Sequence, residues 1–172
     1  MNRTAAGVII GFLFMLIAPF IFTEWEVNAL MNVSIVGILS ELGTNPIAAL
    51  ATWFKLPFQP DASLFLILVN IDWFFNPFLR EIIWMTIMAW FSMAFIIGLI
   101  AKGIKRTTIS VLIVLIVYFA LNLMFSVLNS DDLATMLTGV NLFDLLGVLL
   151  TDLLFSILGG VIGGIIGGSG LE

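Results

Sequence analysis

The chain contains no cysteine and no histidine, and its 172 residues include only 6 Lys or Arg and 11 Asp or Glu. Each absence removes a class of chemistry. Without thiols there is no disulfide, no thiolate nucleophile and no Cys/His zinc site; without imidazole there is no Ser-His-Asp triad. The missing thiols do not name a compartment, because a disulfide-free chain suits any. Charged residues make up 10% of the chain, against about a quarter in soluble domains. The net charge of −5 gives no support to a nucleic-acid surface. No glycine loop follows a strand, so no phosphate cradle is expected.

What remains is apolar: 62% of the residues are hydrophobic. The expectation is one integral membrane domain over residues 1–172. Its fold class is all-α, a polytopic transmembrane helical bundle whose first partner is the lipid bilayer, with no cofactor, metal or nucleic acid implied.

Residues 5–23 form an apolar run behind Arg3. A basic start fits a secretory signal, but no small-residue cleavage pattern follows, and Pro19-Phe20-Ile21-Phe22 is bulky where cleavage would fall. The run is read as a retained first span. Residues 81–101 and 107–128 each offer about 20 residues, enough to cross a hydrocarbon layer of about 30 Å. Between them lies "KGIKR", with Lys102, Lys105 and Arg106. Short Lys/Arg-rich loops stay cytoplasmic, which puts both termini inside and residues 129–138, with Asp131 and Asp132, outside. Residues 141–168 return inward as a fourth, glycine-rich span.

Parity constrains the rest. Residues 27–79 must add zero crossings or two. Residues 28–42 and 46–55 predict helices of about 22 Å and about 15 Å at 1.5 Å per residue, with Gly43 ending the first, and Asn45-Pro46 starting the second. Both are short of a span. They are read as interfacial or re-entrant pieces, giving four firm spans; six are possible if 27–79 supplies two more.

"SILGGVIGGIIGGSG" (156–170) holds three Gly-Gly pairs spaced by four. In water these glycines would nearly forbid a helix, at about 1 kcal/mol each relative to Ala. Inside a bilayer an unpaired amide costs several kcal/mol, so the segment must be helical. At about 100° per residue, Gly159, Gly160, Gly163, Gly164, Gly167 and Gly168 fall on one half of the helix, and Val161, Ile162, Ile165 and Ile166 on the other. A bare half-cylinder invites close approach by another helix, as in small-xxx-small packing. The competing reading is a mobile tail.

Stepping back from Gly160 by four reaches Ser156 and then Asp152, a carboxylate on the stripe that continues the glycine face. Ionisable residues in membranes face an interior or a water-filled cavity, so Asp152 is expected to carry its proton or to hold an ion. Tyr118, Asn122 and Ser126 form a second polar row in the preceding span, with Asn122 counted to a depth near that of Asp152. One reading is hydrogen-bonded glue between Asn122 and Asp152; the other is a transport site.

The leading functional expectation is a non-catalytic accessory or assembly subunit of the cell membrane, packing as a homo-oligomer or in a larger membrane complex through the glycine-zipper face. The alternative is a small channel or carrier for protons, Na⁺ or a small solute through a polar site around Asp152, Ser156, Asn122, Tyr118 and Ser126. Two carboxylates alone are too common to argue an acid–base enzyme.

Overall fold

The structure, a computed structural model, describes residues 2–22, 26–27, 33–58, 75, 77–129 and 139–168. Asn2 starts helix α1 (Arg3–Ile21) by accepting the Thr4 N–H on its side chain at 3.1 Å. A two-residue antiparallel pairing follows, Glu26–Val27 against Val33–Ser34. Two short helices come next, α2 (Ile35–Leu42) and α3 (Pro46–Lys55). Three long ones complete the described chain: α4 (Pro77–Ala101), α5 (Ile104–Leu128) and α6 (Gly139–Ile166).

Four of these helices are long and apolar enough to cross a membrane: Arg3–Ile21, Ile83–Ala101, Ile104–Leu128 and Leu142–Ile166. This is the architecture of an integral membrane protein, with spans close to those read from the sequence. At 8 and 10 residues, α2 and α3 are about 12 Å and about 15 Å long, and neither can cross alone. Residues 59–74, needed for a fifth and sixth crossing, lie outside the described residues.

Local details follow the sequence in part. Asn45 caps α3 by accepting the Ala48 N–H at 3.3 Å, with Pro46 at the first helical position. Gly43 does follow the end of α2, but it does not take the left-handed conformation expected of a terminating glycine. The chain turns instead through Thr44 and Asn45, whose N–H groups both donate to the Glu41 carbonyl, at 3.0 and 2.7 Å. The basic turn is also tighter than the sequence suggests. Only Lys102 (φ 49°) and Gly103 (φ 145°) separate α4 from α5, so Lys105 and Arg106 already lie in the first turn of α5.

Glycines set how the spans approach. In α1, Gly7 lies against Ile97 and Ser110, and Gly11 against Ile97 and Met93. Ser110 Oγ donates to the Thr4 carbonyl at 3.2 Å. Further along, Tyr118 meets Met15, so α1 and α5 run parallel. Gly159, Gly163 and Gly167 of α6 follow Phe91, Phe95 and Leu99 of α4 in ascending order, so these two helices are parallel as well. Gly164 sits beside Gly103 and Ile104. The start of α1, the α4–α5 turn and the end of α6 therefore share one end of the bundle.

The short helices reach into this frame. Phe54 packs edge-on against Tyr118 (ring centroids 5.0 Å apart) and stacks on Phe125 (5.4 Å). Phe58 reaches Trp90 at 5.5 Å. Trp90 Nε1 donates to the Pro57 carbonyl at 3.1 Å, and Trp53 Nε1 to the Leu16 carbonyl at 2.8 Å. Trp90 and Tyr118 lie near the middles of α4 and α5, so α3 and the residues just after it descend to the centre of the bundle.

Candidate functional site

The polar residues singled out in the two rows are all buried. On α6, Asp152 is 1% exposed and Ser156 0%; on α5, Asn122 is 3% exposed and Ser126 1%. Helical spacing accounts for this. On α5 the buried positions Val111, Val114, Leu115, Tyr118, Asn122 and Ser126 recur every three or four residues, so the polar row lies on the core stripe.

The expected bond between Asn122 and Asp152 is not made. Among the described residues neither Asp152 carboxylate oxygen has a hydrogen-bond partner, and the same holds for Asn122 Oδ1, Ser126 Oγ and Ser156 Oγ. The register of the helices explains it. A Cβ on Gly160 would lie 2.9 Å from Thr107 Cγ2 and 3.7 Å from Val111 Cγ2, which fixes the antiparallel alignment of α5 with α6. Asp152 precedes Gly160 by eight residues, about 12 Å of helix. The same distance along α5 from residues 107–111 reaches 115–119, the level of Tyr118. Asn122 lies about one turn beyond.

Tyr118 does not join the polar row. Its hydroxyl donates to the Met15 carbonyl at 3.2 Å, and its ring belongs to the aromatic cluster with Phe12, Phe54, Phe58 and Trp90. Thr151, next to Asp152, is satisfied within its own helix by donating to the Gly147 carbonyl at 2.8 Å. The site that remains is the Asp152–Ser156 pair, one turn apart on α6, with Asn122 across the α5–α6 packing.

A buried polar atom without a partner costs free energy, and a buried charge without one costs more. Helix geometry keeps residues four apart within about 5–6 Å at Cβ, so Asp152 and Ser156 are neighbours on one buried stripe of α6. Of the described basic residues, Arg3, Lys102, Lys105 and Arg106 collect at the glycine-rich end of α6, away from Asp152, and Lys55 closes α3. Among the described residues no group of three or more His, Cys, Asp or Glu could hold a metal ion. Asp131 and Asp132 lie outside the described residues.

The glycine face is helical and packed, but against its own chain. A Cβ on Gly159 or Gly163 would run into the main-chain carbonyl of Phe91 or Phe95, and one on Gly167 would lie 3.0 Å from that of Leu99. Gly160 and Gly164 face Thr107 and the start of α5. The face expected to meet a partner is thus covered by α4 and α5, because those spans also carry small residues where it arrives. Gly168 departs from the rail: it follows the helix end with φ +88° and nothing near its Cβ position, the conformation of a helix-terminating glycine.

Sequence reasoning missed the partner glycine, Gly98, whose own Cβ would lie 2.7 Å from the Gly160 carbonyl oxygen. It also missed the Gly7/Gly11 pair of α1, although their four-residue spacing was the available signal. The buried hydroxyls of Thr86, Thr107 and Ser110 were likewise unremarked. An open groove of about 250 Å³ between α1 and α5, lined by Val8, Ile9, Phe12, Leu13, Val114 and Val117, is apolar and contains none of the candidate polar residues.

Compared with protein-family models, curated proteins and solved structures, the chain matches none.

Proposed function

We propose that this protein is a small non-catalytic channel or carrier of the cell membrane, with its exchange site centred on Asp152. One observation carries the reading: a carboxylate 1% exposed, in the middle of the packed spans, with both oxygens unpartnered among the described residues. Ionisable groups in that position are expensive and are kept where they handle ions or protons. The assembly reading has less behind it, since the glycine face that motivated it is engaged by α4 and α5 of the same chain. In this proposal the clustered Lys102, Lys105 and Arg106 hold their end of the bundle on the cytoplasmic side, together with both termini.

The test is ion flux in liposomes reconstituted with the purified full chain, under a pH gradient and separately under a Na⁺ gradient. Wild-type protein is expected to dissipate one of them. Asp152→Asn, which is nearly isosteric, is expected to fold with an unchanged helical spectrum and to lose that flux. Wild-type flux retained by Asp152→Asn, or no flux by the wild type under either gradient, would refute the proposal.

A further inference from the structure

We infer that the Asp152 site takes a desolvated monovalent cation of the Na⁺ class, held by both Asp152 oxygens and Ser156 Oγ, with Asn122 Oδ1 joining as a fourth donor when α5 slides along α6. The inference rests on the reading of Asp152 as an exchange site and names what the site exchanges. It comes from counting lone pairs and charge. These four oxygens are buried and none has a hydrogen-bond partner among the described residues. A proton on Asp152 and the hydroxyl proton of Ser156 are two donors, but in this packing neither the Asp152 carboxylate nor Ser156 Oγ has a hydrogen-bond partner among the described residues. Protonation alone would leave these oxygens unpartnered in a setting where each such group is costly. A cation accepts several oxygens at once, and carboxylate, hydroxyl and amide oxygens are the donors that hard cations prefer.

Charge then selects among hard cations. One carboxylate neutralises one positive charge. A divalent ion at the same place would leave a net positive charge inside the packed spans, and its usual cages supply several carboxylates. Among the described residues no such acidic group gathers. The helices also divide the work in a way that suits binding and release. Asp152 and Ser156 belong to α6, seated on α4 by glycines, while Asn122 comes from α5, about one turn off level. A slide of α5 against α6 by up to about one turn, about 5 Å, brings the amide oxygen onto the ion or withdraws it.

The experiment uses the full chain in detergent micelles. Thermal unfolding is followed at constant ionic strength as N-methylglucamine chloride is replaced by NaCl, LiCl or CaCl₂, and ²²Na⁺ binding is measured directly. NaCl or LiCl is expected to raise the wild-type melting temperature saturably. That shift should disappear in Asp152→Asn and move to higher salt in Ser156→Ala and Asn122→Ala. Equal NaCl stabilisation of wild type and Asp152→Asn would overturn the inference, as would a larger Asp152-dependent effect of CaCl₂. Proton flux that depends on Asp152, with no Na⁺ or Li⁺ effect on melting or binding, would overturn the cation and leave the exchange site standing.

Discussion

Tyr118 and Met15 are joined across the bundle, the phenol of α5 donating to the main-chain carbonyl of α1 at 3.2 Å. The bond answers a defect written in the sequence. Pro19 sits inside α1 and has no N–H to return to Met15, four residues earlier. In hydrocarbon a carbonyl released this way needs a donor from elsewhere, and membrane helices with internal proline obtain one from neighbouring side chains. Trp53 adds a second donor one residue on, its Nε1 reaching the Leu16 carbonyl at 2.8 Å.

Replacing Tyr118 with Phe keeps the ring in the aromatic cluster and removes only the donor. It is expected to lower stability by about 1 kcal/mol, the scale of hydrogen bonds inside membrane proteins. In a Pro19→Ala background, where residue 19 supplies its own N–H, the same change should cost less. Chemical or thermal unfolding of the four proteins gives the comparison. An equal cost of Tyr118→Phe in both backgrounds would show that the phenol does not serve the proline break.

The glycine rows make graded predictions. Ala at Gly159 or Gly163 meets main-chain carbonyls of Phe91 and Phe95, which cannot swing aside, whereas Ala at Gly164 meets Thr107 Oγ1 at 3.5 Å, an ordinary contact. The first two are expected to destabilise by about 1–3 kcal/mol, the range for forcing extra volume into a packed interior. Gly164→Ala should be close to neutral. Gly160→Ala falls between, because the atom in its way is the Thr107 methyl group. Melting temperatures in one detergent rank the four; a rank order with Gly164 worst would refute this register.

Membrane sidedness is testable with single cysteines, since the chain has none of its own. Lys105 and Asn129, at opposite ends of α5, are both exposed. Gly103 is the wrong choice of probe because its φ of 145° strains any side chain. In intact cells an impermeant thiol reagent is expected to label Asn129→Cys and to spare Lys105→Cys. The reverse pattern would invert the proposed orientation.

The spans themselves were legible because a bilayer imposes a one-dimensional rule. A run of about 20 apolar residues must be helical, and its ends are marked by charge, Asn, Pro and Gly. The sorting of six glycines to one side of a helix was legible for the same reason: periodicity is a property of the sequence alone. Burial of Asp152, Ser156, Asn122 and Ser126 followed from the same stripes.

What covers each stripe was not written in the periodicity. The glycine face fits any helix with small residues, and only the assembled bundle assigns it to Gly98 and the backbone of α4 rather than to a partner. Tyr118 shares the four-residue spacing of Asn122 and Ser126, yet Pro19 on a distant helix claims its hydroxyl. Depth counted along one helix placed Asn122 level with Asp152; the glycine contacts slide α6 against α5 and set them about one turn apart. Sequence by itself determined which surfaces must be buried, because solvation acts on each helix separately. The tertiary structure decided which surfaces meet, because steric fit and the pairing of hydrogen-bond donors with acceptors depend on two helices at once.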